Sequence, residues 1–419
     1  MSTSTAPSPD RASRPRPGRR PASLRPLQAG YWILILLLVG VNVRWLWQEW
    51  ATVDMKTIDV LIARGKADEA ERGLEARLRR FGLDGEARMK LARLLANRKD
   101  YLGCARELHE VPYWWPARAE ASFLEGEAYK LIDRAPDAEA AWASCVAPDP
   151  LHPVQAKYSG RAARELIGFY MLEGRFAEVR ATVWKAYDAA DPSERADILA
   201  MRLRAELERI SHEEALTKLR RFVAVVPDDW QARRALAVEE LAAGDAGAAE
   251  REIQECLRTH PDEPSVWRTW LDLLSERGDR DGIRAAVAKL PPASDGDAET
   301  WKHRGLVRQW DGDLEGAAEA FRRAVALNPR EGDYYYKLGM AEQYLGHPER
   351  ARPHVQKSVQ IRESYSKLHD AYYDYVEATR RARGDDPAVR TALEKVATLC
   401  RELGWDREAE ALLLTLPGG

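Results

Sequence analysis

Histidine and cysteine are the side chains best suited to metal binding and covalent chemistry near neutral pH, and in this chain they are scattered. The eight histidines come no closer than His347 and His354, and no H-E-x-x-H places two of them on one helical face beside a general base. Cys104, Cys145, Cys256 and Cys400 each lie more than forty residues from the next. No C-x-x-C pair therefore exists for a zinc or redox centre, and four small buried thiols are expected instead. The sequence has neither a phosphate-cradling G-x-x-x-x-G-K-[ST] loop nor a G-x-S-x-G nucleophile elbow, and Gly65-Lys66 lacks the upstream glycine. Many carboxylates stand four residues from an arginine, the spacing of solvated helix faces. The expectation is a chain with no catalytic residue, no cofactor-binding residue and no metal ligand. It is read as a binding protein, not an enzyme, without cofactor or small-molecule substrate.

The elements that would carry such a function are helices. Apolar residues make up 45% of the 419 positions and charged residues 31%, with only six Phe. Ala, Leu, Arg and Glu dominate, and all four favour or tolerate helix. The formal net charge of -3 argues against nucleic acid as a partner of the bulk of the chain. Arg11, Arg14, Arg16, Arg19, Arg20 and Arg25, set against Asp10 alone, make the N-terminus a basic exception.

That basic arm, residues 1–28, has six prolines, seven Ser/Thr and almost no large apolar side chain, so it is expected to stay disordered. From Pro26 to Val43 no residue is charged, and Tyr31 to Val39 reads Tyr-Trp-Ile-Leu-Ile-Leu-Leu-Leu-Val. A helix from Tyr31 to Trp47 would extend about 26 Å at ~1.5 Å per residue, just enough to cross a hydrocarbon core. Tyr31 and Trp32 at one end and Trp45, Trp47 and Trp50 at the other suit the two interfaces, with Arg44 able to snorkel. The stretch after the apolar run offers no small residues for signal cleavage, and Pro21 directly after Arg19-Arg20 speaks against a twin-arginine signal. Residues 29–50 are therefore expected to be an uncleaved signal-anchor helix. The arginine excess before it predicts a cytoplasmic N-terminus and a body on the far side, the periplasm if the membrane is a bacterial inner membrane.

Beyond the span the decisive signal is a period of 34. Gly244, Gly278, Gly312 and Gly346 keep it, the first three each followed by Asp, and Pro227, Pro261 and Pro329 fall on the same period. Glycine would end the first helix of each unit and proline the second. Trp301, Gly305, Ala317, Phe321, Ala324 and Pro329 sit at the spacings of W-x2-L-G-x2-Y, A-x3-F and P, with Arg304 and Arg308 departing from the pattern. The next unit keeps Tyr335, Leu338, Gly339, Ala351 and Val355, and has Glu363 in place of proline. In these features the chain resembles the tetratricopeptide repeat family. Contiguous units are read at 230–263, 264–297, 298–331 and 332–365. Earlier ones are read at 51–84, 85–118, 121–154, 160–193 and 196–229, with slips of two to five residues between 118 and 196. The fold expected is all-α: one transmembrane helix, then a right-handed superhelical solenoid of about nine helix-turn-helix repeats over 51–365. Degenerate capping helices would fill 366–419.

The resemblance implies a concave groove, lined by the first helix of each unit, where other proteins bind. Family positions facing that groove fall on Arg268, Lys302, Trp310, Tyr336, Met340 and Tyr344, a mix of cations, aromatics and Met suited to a partly acidic extended peptide. The asparagine of the family's carboxylate clamp is replaced by Asp272, Leu306 or Met340, so a clamp is not expected. A membrane-tethered scaffold for partner segments in bacterial envelope assembly is the leading reading. A regulatory subunit of an envelope enzyme, such as a polysaccharide synthase, is the alternative.

Overall fold

The structure is a computed structural model that describes residues 35–43, 54–146, 156–190, 192–208, 210–381 and 386–415. The chain divides into two compact units, 1–82 and 83–419. In the first, residues 35–43 are helical (α1). There α2 (Met55–Ala63) and α3 (Ala67–Arg80) form a hairpin turning through Gly65 at φ 72°. The expected arm, and all of the expected span 29–50 except 35–43, lie outside the described residues. Among the described residues no helix is long and apolar enough to cross a membrane.

The second unit is a succession of helices, and no strand occurs among the described residues. It begins with α4 (Gly85–Asn97), α5 (Tyr101–His109), α6 (Arg118–Leu131), α7 (Ala135–Val146), α8 (Ala156–Leu172) and α9 (Phe176–Ala189). It continues through α10 (Pro192–Leu207), α11 (His212–Val225), α12 (Trp230–Ala242), α13 (Ala246–Thr259), α14 (Pro264–Glu276) and α15 (Arg280–Val287). The last six are α16 (Ala298–Trp310), α17 (Leu314–Leu327), α18 (Gly332–Tyr344), α19 (Pro348–Arg381), α20 (Pro387–Glu402) and α21 (Asp406–Leu414). Trp230, Pro264, Ala298 and Gly332 open first helices at a constant interval of 34. Between Arg118, Ala156, Pro192 and Trp230 the interval lengthens to 38, 36 and 38. The first two fall where the sequence pattern slips, whereas the third departs from the contiguous units read at 196–229 and 230–263.

The Gly-Asp signature has a two-part local cause. Gly244, Gly278 and Gly312 adopt φ of 88°, 66° and 84°, a left-handed turn that a Cβ disfavours. The aspartate that follows caps the next helix: Asp245 accepts from the Ala248 amide at 2.8 Å, Asp279 from Gly282 at 2.8 Å and Asp313 from Gly316 at 2.9 Å. Lys99 and Asp133, 34 and 68 residues after Gly65, hold the same turn at φ 65° and 57° without the freedom of glycine.

Within each pair a small residue on the first helix receives a large one from the second. A Cβ on Gly305 would come 2.5 Å from the Phe321 ring, and one on Gly126 would come 2.3 Å from Trp142. Both pairs are sixteen positions apart, so Gly126–Trp142 marks a repeat register that the family's letter pattern leaves hard to see. Trp142 is fully buried and meets Phe169 edge-on at 5.3 Å, and Phe169 stacks on Phe222 at 5.4 Å.

Repeat arrays ordinarily contact only their neighbours. This one does not. The core that holds Trp142, Phe169 and Leu199 also takes in Leu368, Tyr372, Val396, Trp405 and Leu412. The C-terminal helices thus return to α9 and α10, and the repeats from α8 onward close on themselves. Arg202 of α10, only 1% exposed, seals the junction through Glu408 at 3.1 Å and the Trp405 ring at 5.0 Å. Around it, Tyr372 donates to Glu208 at 2.9 Å and Arg407 pairs with Asp188 at 2.9 Å. Arg407 also lies 3.9 Å over Trp184.

Candidate interaction cavity

Closure turns the inner face of the repeats into two adjoining cavities. One, of about 420 Å3, lies between the start of α9 and the inner faces of α12 and α14, with Phe176, Arg180, Arg234, Val238, Arg268 and Asp272 in its wall. The other, of about 750 Å3, runs on past Arg180, Arg268 and Asp272 to Glu299, Arg330, Tyr334, Tyr365 and Trp405. Helical periodicity explains the lining: Arg234 and Val238, and Arg268 and Asp272, are spaced i, i+4 and share one face of their helices.

Most of the charges are already matched. Arg268 pairs with Asp297 at 3.0 Å and Arg180 with Glu206 at 3.6 Å, while Arg330 donates to the Gly404 carbonyl at 2.6 Å. Lys302 holds Glu299, and the Tyr334 hydroxyl donates to the same carboxylate at 2.6 Å. Burial pushes the Glu299 carboxyl up, but Lys302 and Tyr334 outweigh it and hold it below its ordinary value. Besides Arg330, two groups lack a salt-bridge partner. Asp272 has no hydrogen-bond or ion-pair partner among the described residues; burial, with Glu299 nearby, pushes it up to about 6 against the opposing pull of Lys302 and Arg268. Arg234, 7% exposed, donates to the backbone carbonyl of Glu173 at 2.5 Å and meets no carboxylate. Burial, with Arg268 nearby, pulls it down to about 10.

A metal is poorly served here. Donor atoms of Asp272, Glu299 and His303 lie within 4.8 Å of one another. Glu299 is already engaged by Lys302 and Tyr334. Both ring nitrogens of fully buried His303 are committed, Nδ1 to the Glu299 carbonyl at 2.9 Å and Nε2 to Ser275 Oγ at 3.1 Å. Burial, with Lys302 beside it, pulls His303 down to about 4 and keeps it neutral. All four cysteines are buried and free, and burial pushes Cys104 up to about 11 and the other three up to about 12.

The six side chains singled out in the sequence fall in three places. Arg268 lines both cavities, and Lys302 reaches the wall of the larger one through Glu299. Trp310 packs between repeats near Leu274, Ile283 and Ala286, with Arg280 and Arg284 at 5.2 and 5.8 Å from its ring. Tyr336 and Tyr344, 41% and 55% exposed, flank half-buried Met340 on α18, outside both cavities. Arg234 was missed, although the signal was present: it stands 34 residues before Arg268 and 68 before Lys302, on the same helical position.

Residues 201–264 and 305–365 match the family model described as Tetratricopeptide repeat. The fold and this match together support a helical-repeat protein of tetratricopeptide type. No curated protein sequence matches the chain significantly. Among solved structures it is similar to MamA 41-end from Desulfovibrio magneticus RS-1 at 22% identity, covering 42% of this chain and 97% of that one, with a TM-score of 0.32. It is also similar to pilF of Pseudomonas aeruginosa at 17% identity, covering 53% and 98%, with a TM-score of 0.34. The APC/C hetero-tetramer Cut9-Hcn1 is similar at 14% identity over 85% of this chain and 79% of that one, with a TM-score of 0.35. Likeness at this level carries no inference about function.

Proposed function

We propose that this chain is a membrane-tethered protein–protein interaction scaffold, holding partner segments within its closed repeat array. The observation that carries the reading is the pair of adjoining, partly open cavities on the inner face of the array, lined in part by first helices of repeats and reached by both family-matching segments. A 419-residue chain whose conspicuous concave surface is built from repeat positions, with no reactive constellation in its sequence, is suited to holding another chain. Tyr336, Met340 and Tyr344 supply a second contact stripe on α18, since exposed aromatic and Met side chains are favoured at interfaces. Tethering rests on the uncharged stretch Pro26–Val43 and its aromatic flanks, and the six arginines before it support an N-terminus in the cytoplasm and a body in the periplasm. Envelope assembly is then the setting.

Purification of the full-length protein in mild detergent, followed by mass spectrometry, tests the scaffold. Recovery of envelope assembly or translocation proteins is expected, and a stoichiometric enzyme in their place would contradict it. Alkaline phosphatase fused after Gly419 tests the topology. It should be active, and activity of a cytoplasm-only reporter at that position would overturn the orientation.

A further inference from the structure

The wall of the smaller cavity contains one cation and one anion with no ion-pair partner in the fold, and this deepens the scaffold reading on which it rests. Of the other charges named in that smaller wall, Arg180 pairs with Glu206 and Arg268 with Asp297; Arg330, in the wall of the larger cavity, is held like Arg234 by a backbone carbonyl alone. Arg234, almost wholly buried, has only a backbone carbonyl. Half-buried Asp272, on the next first helix, has no hydrogen bond or ion pair among the described residues, although the charges of Lys302 and Arg268 reach it. A buried charge without an ion-pair partner is costly, and Arg234 is such a charge; Asp272 is half-buried and bears a smaller cost. Here both groups border the same cavity of about 420 Å3, large enough for a few residues of an extended chain.

We propose that this cavity binds a dipolar ligand, with a carboxylate seated against Arg234 and an ammonium or guanidinium group seated against Asp272. The two first helices set the charges side by side across one cavity, so a ligand bearing both signs satisfies both. A purely acidic ligand would leave Asp272 unmatched and add a like charge beside it. A purely basic ligand would do the same to Arg234. Arg268 and Lys302 compensate Asp272 only in part, because each is paired with another carboxylate, Asp297 and Glu299. The raised affinity of the Asp272 carboxyl for its proton, up to about 6, is the response expected of a carboxylate waiting for a cation. The dipole has two sources in a protein partner: the free ends of a short peptide, or an acidic and a basic side chain within one segment.

The test uses the full-length protein in detergent and probes of defined charge, read by microscale thermophoresis. The probes are Ala-Ala-Ala with free ends, the same peptide acetylated, amidated or both, and doubly blocked Glu-Ala-Ala-Lys. Free Ala-Ala-Ala binding at least about tenfold more tightly than either singly blocked form supports the dipole from chain ends. Doubly blocked Glu-Ala-Ala-Lys binding more tightly than doubly blocked Ala-Ala-Ala supports it from side chains. Asp272→Asn, isosteric and uncharged, should erase the penalty for removing the positive group. Arg234→Gln should erase the penalty for removing the negative one, and Arg234→Lys should restore most of it. Circular dichroism checks that each variant is folded. Binding that ignores the charges, no binding of any probe, or variants that keep both penalties would overturn the proposal. Partners co-purifying equally with wild type and both variants would sink this inference while sparing the scaffold. Charge-dependent peptide binding without any protein partner would sink the scaffold alone.

Discussion

Arg202 Nε lies 3.1 Å from the Glu408 carboxylate, joining two side chains 206 positions apart and almost completely buried. This ion pair, with Glu206 at 2.8 Å and Trp405 beneath the guanidinium, is the electrostatic part of array closure. Removing Glu408 leaves the almost wholly buried Arg202 with Glu206 as its remaining carboxylate partner. Glu408→Ala should therefore cost about 2–3 kcal/mol in urea unfolding, toward the low end for a broken buried pair. Arg202→Met combined with Glu408→Leu should cost much less than Glu408→Ala, because buried pairs replaced by apolar groups are often nearly neutral. Equal losses in both variants would show that shape, not charge, governs the junction.

The small-to-large fit inside repeats gives a second expectation. Gly305→Ala drives a Cβ into the Phe321 ring and should destabilise by about 1–3 kcal/mol. Gly168, on an exposed face of α8 with nothing within 4 Å, provides the control. Gly168→Ala should stabilise by roughly 0.5–1 kcal/mol through helix propensity alone. Thermal melts of the two variants should move in opposite directions.

Lys99 occupies a left-handed turn position that glycine fills at Gly65, Gly244 and Gly278. A non-glycine residue there bears about 1–2 kcal/mol of strain, offset in part by its lower freedom when unfolded. Lys99→Gly should thus raise stability by about 0.5–1 kcal/mol, measured as a higher urea midpoint at unchanged slope. Gly312→Ala should lower it.

Asp272 sets a pH dependence whose sign is fixed by its raised value. Between the ordinary carboxyl value of 3.8 and about 6 the folded protein binds more protons at this site than the unfolded chain. Its contribution to stability therefore falls as pH rises through that window. Asp272→Asn should gain roughly 2 kcal/mol over wild type above about pH 6, since each tenfold change in proton affinity is worth about 1.4 kcal/mol and the group is not wholly enclosed. The gain should vanish at about pH 3, where the carboxyl is protonated in both states. Urea unfolding of both proteins at several pH values checks it, and a gain constant with pH would assign the effect to packing.

The helical repeats were legible because each rests on local rules. A left-handed glycine, a capping aspartate and a small residue opposite a large one recur at fixed offsets, as in Gly312, Asp313, Gly305 and Phe321. Where those offsets stretch, between Arg118 and Trp230, only the approximate positions of the helices could be read. The groove was legible in part. Arg268 proved to line the cavity, whereas Trp310 fills a gap between repeats, since family position alone does not say whether an aromatic ring turns inward. Closure was not legible at all. Arg202 and Glu408 carry no shared motif, and a contact 206 residues apart leaves no trace in the periodicity of one sequence.

The most direct test of the scaffold reading is site-specific photo-crosslinking of the full-length protein in its own cells. A crosslinking residue at Val238, in the wall of the smaller cavity, is compared with one at Val359, exposed on α19. The expected result is a discrete adduct with another protein from Val238, lost when Arg234→Gln and Asp272→Asn are combined, and none from Val359. No protein adduct from Val238, or adducts from Val359 alone, would contradict the account.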